Sequence, residues 1–216
     1  MRKFGLIGFP LGHSFSKKYF TEKFQKEGLD DCQFELFEIE TADQLKKIVA
    51  ENPSLEGLSV TIPHKQAVIP LLNDLDSACE AIGAVNCIQI KEGKLTGYNT
   101  DYIGFKDSLE AWLEGKKVSA LVLGTGGASK AVCKALEDLG IEYLSVSRKT
   151  TDSSISYEEL AGKPELFEKY HLIINCTPLG TFPNTDAMPS IPKEAFSENT
   201  LVYDLVYNPA VTKLMQ

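Results

Sequence analysis

The sequence predicts an α/β protein of two domains, the first of them built on a mostly parallel sheet. Short apolar runs alternate with amphipathic helical patterns along the chain, which is the arrangement that strand–helix–strand units produce. A length of 216 residues allows one large domain or two small ones. We expect the boundary near Gly104, with one domain over residues 1–104 and the other over residues 105–216.

The composition narrows the class of protein. Hydrophobic residues make up 43% and charged residues 24%, as in a soluble globular protein. The net charge of −8, without a long basic run, argues against nucleic acid as a partner, and no apolar stretch is long enough to span a membrane. Five cysteines without a C-x-x-C pair indicate reduced thiols in the cytoplasm. We expect a cytoplasmic monomer or homodimer.

The first half of the chain begins with alternating strands and helices. Phe4 to Phe9 is predicted to be a strand rather than a signal peptide, because Gly5 and Pro10 interrupt the apolar run. A second strand is expected at Gln33–Ile39, and a capping box at Thr41–Gln44 opens the helix after it. Between the two strands, a helix is expected to turn its aromatic residues inward: Phe15, Tyr19, Phe20 and Phe24.

Three further elements complete this half. Leu55–Ile62 is predicted to be a strand, and Pro63 after it suits the first turn of a helix. A polar helical segment is expected near Asp74–Ile82. The residues from Gly83 to Ile90 and from Lys94 to Tyr98 are expected to form a hairpin around Glu92-Gly93.

Several polar residues in this half are candidates for binding, each with an ordinary alternative. Ser14 or Ser16 can cap a helix, but only one is needed, and the flanking glycines suit a loop around a small ligand. Thr61 and Lys65 follow a strand, where α/β sheets bind ligands, although an isolated lysine is usually a solvated surface residue. The run from Asn99 to Asp101 can simply be a helix cap.

The second half contains a predicted β-α-β unit with a glycine-rich turn. A buried strand from Val118 to Leu123 leads through a Gly-x-Gly-Gly-Ala turn into an amphipathic helix that Gly140 closes, and a strand follows at Glu142–Ser147. Glycines at such a turn let backbone N–H groups approach a pyrophosphate at the helix N-terminus. The order of elements favours dinucleotide binding over an ordinary turn.

The residues after the second strand indicate which dinucleotide is bound. An NAD site usually has an acidic residue here, to hold the ribose 2′-hydroxyl. This chain has Ser147-Arg148-Lys149-Thr150 instead, and its cations and hydroxyls suit a 2′-phosphate. The sequence therefore predicts NADP(H), with a solvated basic turn as the alternative.

A set of motifs in order along the chain resembles the shikimate dehydrogenase family. Residues 8–16 read G-x-P-x-G-H-S-x-S, and V-T-I-P-H-K, G-A-V-N and G-Y-N-T-D follow at residues 60–65, 83–86 and 97–101. The glycine turn is followed by I-N-C-T-P-L-G at 174–180 and Y-D-L-V-Y-N-P at 203–209. The resemblance implies a substrate domain, a Rossmann-like NADP domain, and reversible reduction of 3-dehydroshikimate by NADPH without a metal.

The resemblance also implies roles for individual residues. Lys65 and Asp101 would be the catalytic pair, and either could transfer the proton. The substrate would be bound by these two and by Ser14, Ser16, Thr61, Asn86 and Tyr207. The cofactor would contact Gly124, Thr125, Gly126, Gly127, Ala128, Ser147, Arg148, Lys149, Gly180 and Leu205.

Two departures and two alternatives accompany the resemblance. The family's usual Asn-Arg-Thr is Ser147-Arg148-Lys149 here, and its usual Met after Gly180 is Thr181.

The family continues past the position of Gln216 into further helices, so we expect this chain to lack them and to bind NADP(H) better than it turns over shikimate. The alternative functions are oxidation of quinate as well as shikimate, and a non-catalytic NADP- or shikimate-sensing module.

Overall fold

The computed structural model describes residues 1–12 and 14–216, with the side chain of Glu194 left out. His13, which belongs to the first motif, lies outside the described residues. The chain divides into two compact units, Met1–Thr100 and Asp101–Gln216. The sequence places a boundary near Gly104, and the units divide within the first turn of a helix that spans Thr100–Leu113.

The first unit is organised on a six-stranded sheet of order β2-β1-β3-β5-β6-β4. Strands β1, β2 and β3 are parallel, β5 and β6 form an antiparallel hairpin beside β3, and β4 is parallel to β6. The hairpin confirms the prediction, with Glu92 and Gly93 both at positive φ in its turn. The strands are β1 (Arg2–Gly8), β2 (Cys32–Glu38), β3 (Leu55–Val60), β4 (Asp74–Leu75), β5 (Cys87–Lys91) and β6 (Lys94–Tyr98).

The helices of this unit are α1 (Ser16–Lys26), α2 (Leu45–Glu51) and α3 (Ser77–Ile82), with 3₁₀ turns at Ala42–Gln44 and Ile69–Leu71. The predicted capping box at Thr41–Gln44 is present. The expectation that all four aromatic residues of α1 point inward is wrong, because Phe15 and Tyr19 are 47% and 50% exposed. Of these four residues, only Phe20 and Phe24, both partly buried, pack against the small core around Phe34.

The helix expected at Pro63 is also absent from the described structure, where residues 61–68 form successive turns. The carbonyl of Lys65 accepts a hydrogen bond from the N–H of Val85 at 2.7 Å, so a distant segment occupies an acceptor that a helix would use. Further on, the helical segment begins at Ser77 rather than Asp74. Asp74 and Leu75 form the short edge strand β4, and the Asp76 carboxylate caps α3 through the N–H of Cys79.

The second unit is built on a five-stranded, fully parallel sheet of order β11-β10-β7-β8-β9. The predicted β-α-β unit is confirmed as β7–α5–β8. The strands are β7 (Ala120–Leu123), β8 (Tyr143–Ser147), β9 (Ile155–Ser156), β10 (Leu172–Asn175) and β11 (Leu201–Asp204). The helices are α4 (Thr100–Leu113), α5 (Gly127–Asp138), α6 (Tyr157–Ala161) and α7 (Glu165–Lys169), with 3₁₀ turns at Lys193–Ala195 and Lys213–Met215.

Each unit has its own apolar core. In the second unit β7 and β10 are buried along their whole length, as the continuous apolar runs predict for central parallel strands. Helices α4 and α5 cover one face of that sheet, whereas α6 and α7 cover the other. Among the helices of the described residues, none is both long enough and apolar enough to cross a membrane.

Candidate active site

Polar residues from segments that are distant in sequence lie at one edge of the first sheet, next to the ends of β1, β3 and β6 and the start of β5. Parallel strands β1, β3 and β6 all end at this edge, and β5, which runs the opposite way, begins there. The loops at this edge and the first residue of α1 carry five of the predicted substrate-binding residues: Ser14, Ser16, Thr61, Lys65 and Asn86. This is the edge at which open α/β sheets bind ligands.

The loops after β1 and β3 pack directly against each other. The Thr61 N–H donates to the Ile7 carbonyl at 3.0 Å, and that of Phe9 donates to the Ile62 carbonyl at the same distance. A Cβ on Gly8 would lie 2.4 Å from the Thr61 methyl carbon, which explains why glycine is required there. The Glu38 carboxylate accepts the Leu11 N–H at 2.6 Å and so restrains the loop that leads to Ser14.

The backbone at Lys65 is held by contacts of the preceding His64 and of the remote Val85. His64 is buried, only 2% exposed, and its Nε2 donates to the Ile39 carbonyl at 2.7 Å. Its backbone N–H donates to the Thr61 carbonyl at 2.9 Å, which closes a turn over Pro63. With the bond from Val85 to the Lys65 carbonyl, these contacts fix the backbone from which the half-buried Lys65 side chain extends.

Asn86 contacts the start of helix α4. Its Oδ1 accepts the Thr100 N–H at 2.8 Å, and its Nδ2 donates to the Thr100 hydroxyl at 2.9 Å. The adjacent Asn99 is buried, and its amide donates to the Ala84 carbonyl at 2.9 Å. Asp101, in the second unit, follows in the first turn of α4, where a carboxylate is favoured by the helix dipole.

In the second unit, the glycine turn lies between β7 and α5 as predicted. Gly124 has φ +103°, and a Cβ there would be 3.1 Å from the Thr177 methyl carbon, so both conformation and space require glycine. A Cβ on Gly126 would have no atom within 4 Å among the described residues. Helix α5 starts at Gly127, and its N-cap, Gly126, has no side chain that could cap it. The start of α5 therefore has space beside Gly126 and no capping side chain on its first N–H groups, which fits a pyrophosphate.

The basic pair follows β8 on the same edge of this sheet. Arg148 and Lys149 are both exposed, and the Ser147 hydroxyl donates to the Lys149 carbonyl. The Ser147 hydroxyl also lies 3.1 Å from that of Ser154, which is buried. These hydroxyl contacts shape the turn that presents the two cations, and the arrangement fits a 2′-phosphate.

A network of two buried side chains, Asn175 and Thr212, and the half-buried Asp204 lies where β10 and β11 end, and the sequence did not assign it a role. Asn175 is completely buried, and its Nδ2 donates to Asp204 Oδ1 at 2.9 Å. The other oxygen of Asp204, Oδ2, accepts the hydroxyl of Thr212 at 2.6 Å. Polar residues at the carboxyl ends of two neighbouring strands were a signal that could have identified this network.

The remaining predicted residues lie around this network. Gly180 is buried with φ +94°, and Leu205 is half-buried with its N–H bonded to the Asn175 carbonyl at 3.1 Å. Tyr207 is 75% exposed. Nearby, burial raises the pKa of the Cys176 thiol well above its usual value, which keeps it neutral. In the described part of the chain, no group of three or more His, Cys, Asp or Glu residues is placed to hold a metal ion.

Known proteins match both the sequence and the structure of this chain. The family model of the shikimate dehydrogenase substrate binding domain matches residues 6–88. The NADP(+) shikimate dehydrogenase of Methanosphaera stadtmanae is 33% identical, over 98% of this chain and 80% of its own length. That of Staphylococcus epidermidis is 35% identical, over 99% of this chain and 81% of its own length. Shikimate 5-dehydrogenase from Thermus thermophilus, in a complex with NADP(H) and shikimate, superposes with a TM-score of 0.81 at 30% identity, covering 97% of this chain and 80% of its own.

The parallel sheet, the glycine turn before an uncapped helix and the basic pair after the next strand define a dinucleotide-binding enzyme of the α/β class. Identity of 33% to 35% over nearly the whole chain narrows the class further. The chain belongs to the family of NADP(+)-dependent shikimate dehydrogenases, which are oxidoreductases.

Proposed function

We propose that this protein catalyses the reversible reduction of 3-dehydroshikimate to shikimate with NADPH, within the shikimate pathway. The observation that supports it most directly is the edge of the first sheet, where loops from distant segments bring hydroxyl, amide and ammonium groups together. Such groups suit a small ligand that carries a carboxylate and several hydroxyls.

We assign the substrate to domain 1–104 and NADP(H) to domain 105–216. In the second domain, the N–H groups at the start of α5 would hold the pyrophosphate, and Arg148 and Lys149 would hold the 2′-phosphate. Gly180 and Leu205 would line the nicotinamide end. When bound, NADPH supplies the hydride that reduces the ketone carbon.

Lys65 and Asp101 would provide the acid–base chemistry. As the ketone is reduced, negative charge develops on its oxygen, and the Lys65 ammonium would stabilise that charge. Either Lys65 or Asp101 would deliver the proton that completes the hydroxyl group, and in the reverse direction the same group would accept it. Ser14, Ser16, Thr61, Asn86 and Tyr207 would orient the substrate.

We further propose that the protein acts in the cytoplasm, as a monomer or homodimer. The five cysteines support a reducing compartment, because each is a free thiol in the structure.

The proposed reaction is tested by following absorbance at the nicotinamide band with shikimate and NADP+. We expect turnover with this pair, lower activity with NAD+, and lower activity with quinate. Binding of NADP+ without turnover of either substrate would contradict the proposal and favour a sensing module.

A further inference from the structure

We propose that Asn175, Asp204 and Thr212, here named the carboxyl-edge network, are positioning residues for hydride transfer. They would hold two loops, residues 176–182 and 205–212, in the geometry that the reaction requires. These loops carry Gly180, Leu205 and Tyr207, so the inference rests on the proposed function of those residues.

The Asp204 carboxylate is the centre of the network. Oδ1 accepts the Asn175 side-chain amide and the Val206 N–H, both at 2.9 Å. Oδ2 accepts the Thr212 hydroxyl at 2.6 Å. One carboxylate at the end of β11 therefore restrains both the start and the end of the 205–212 loop.

Asn175 extends the network to the other loop. Its Oδ1 accepts the N–H of Thr177 at 3.0 Å and the hydroxyl of Thr177 at 2.7 Å. The Thr177 hydroxyl in turn accepts the Leu179 N–H at 3.3 Å. Since the methyl group of Thr177 also packs beside Gly124, the loop that leads to Gly180 is fixed relative to the glycine turn.

The two loops also contact each other directly. The Phe182 N–H donates to the Asn208 carbonyl at 3.0 Å. A Cβ on Gly180 would lie 3.6 Å from the Thr212 Cβ and 3.3 Å from the Ala187 carbonyl oxygen. A shift of Thr212 would therefore move the surroundings of Gly180 as well as the loop that carries Tyr207.

The conformation of Thr212 argues that its hydroxyl serves this network. Thr212 is the N-cap of the 3₁₀ turn Lys213–Met215, a position where a threonine hydroxyl commonly caps the turn. Within the described structure, its side chain makes no such cap bond and donates to Asp204 instead. It is only 1% exposed, so water does not substitute for this contact. Buried polar networks that are fully bonded fix a single local geometry.

The test compares Thr212→Val with Thr212→Ser. Valine keeps the shape of threonine but removes the donor to Asp204, whereas serine retains the hydroxyl. We expect Thr212→Val to lower kcat roughly tenfold, because a small misplacement of reacting groups costs up to about 10²-fold. Thr212→Ser should keep kcat within about twofold of the unsubstituted protein.

A probe of the adenosine end separates positioning from general loss of structure. We expect the inhibition constant of 2′,5′-ADP, which would bind at Arg148 and Lys149, to stay within about twofold in Thr212→Val. A normal kcat in Thr212→Val would overturn the proposal. So would parallel loss of turnover and 2′,5′-ADP binding, because the network would then support the whole sheet rather than the two loops.

Amide hydrogen exchange tests the same proposal without turnover, and Asp204→Asn provides a second variant should Thr212→Val fold poorly. In either variant, exchange should accelerate in residues 179–182 and 205–208 and stay unchanged in β7. Unchanged exchange in both loops would overturn the inference. An unsubstituted protein that is inactive towards shikimate would count against the proposed function instead, and the exchange result would still decide the role of the network.

Discussion

At the scale of single residues, the backbone around Lys65 is fixed by contacts to two other segments, at Ile39 and Val85. The carbonyl of Lys65 accepts the Val85 N–H, and the ring of the preceding His64 is bonded to Ile39 in a buried site. A fixed backbone removes the backbone share of the entropy that is lost on binding, so that only the rotamers of the lysine side chain remain to be ordered. This restraint supports the proposed role of Lys65 in binding the substrate.

We expect Lys65→Ala to lower kcat by about 10²-fold or more, with a smaller change in KM, because the ammonium would act mainly on charge that develops in the transition state. Asp101→Asn should behave similarly, and the double variant should lose much less than the product of the two effects. Steady-state kinetics measures this. Lys46→Ala, an exposed lysine on α2, is the matched control and should be neutral. A normal kcat for Lys65→Ala would make that lysine an ordinary surface residue.

We expect the choice between NADP(H) and NAD(H) to depend on Arg148. Arginine can form a two-point, charge-assisted contact with a phosphate, and the side chain is exposed at the end of β8. Arg148→Ala should weaken NADP(H) binding by about 1.5 to 3 kcal/mol and leave NAD(H) binding nearly unchanged. Titration calorimetry with both nucleotides tests this. Lys116→Ala, which removes the same charge at an exposed position after α4, serves as control. Equal losses for NADP(H) and NAD(H) would refute the assignment.

At the scale of elements, Asp138 joins α5 to α4. It forms a salt bridge with Lys134, one turn earlier on α5, and accepts the Tyr102 hydroxyl of α4 at 2.5 Å. The hydrogen bond from Lys134, followed by that from Tyr102, lowers the pKa of Asp138. Folding therefore favours the ionised carboxylate, although a negative charge at a helix C-terminus is unfavourable by itself.

The pH dependence of this contact follows from the direction of that shift. Because the pKa of Asp138 is lowered in the folded state, its contribution is complete above the unfolded value, about pH 4, and is lost as pH falls through the folded value. Asp138→Asn should therefore reduce the free energy of unfolding at pH 7 and have a smaller effect near pH 2. Urea unfolding at both pH values measures this, with Asp107→Asn on exposed α4 surface as control. A difference independent of pH would show that the charge is not responsible.

The helices and strands also show which parts of the fold local sequence patterns can predict. The β7–α5–β8 unit was predictable because its signals are local: an apolar run, a glycine turn and a helical period. The helix at Pro63 was predicted wrongly, because the bond from Val85 to Lys65 joins residues that are remote in sequence. The carboxyl-edge network was missed for the same reason, since Asn175 and Asp204 meet only when β10 and β11 pair. Contacts between segments remote in sequence decide both cases, and no local period encodes them.

At the scale of the whole molecule, the net charge of the chain and the positions of individual cations affect ligand binding in opposite ways. A net charge of −8 repels anionic ligands at long range, yet shikimate and NADP(H) are both anions. The proposed sites resolve this conflict locally, with Lys65 at the edge of one sheet and with Arg148, Lys149 and the first turn of α5 at the edge of the other. Each unit also buries its own apolar core, so each sheet can support one ligand site.

If each unit binds one ligand, then NADP+ and shikimate should slow hydrogen exchange in different parts of the chain. NADP+ at about 100 times its Kd should stabilise the states that bind it by about 2.7 kcal/mol, which slows local opening about 100-fold. We expect the slowing at the glycine turn, the basic pair and the Cys176–Phe182 loop. Shikimate should instead slow exchange at residues 61–65 and 86–87. Mass spectrometry of peptic fragments, with NAD+ and quinate as comparison ligands, measures both patterns. If NADP+ protected the Thr61–Lys65 turn while leaving the glycine turn unchanged, the assignment of cofactor and substrate to the two domains would be reversed.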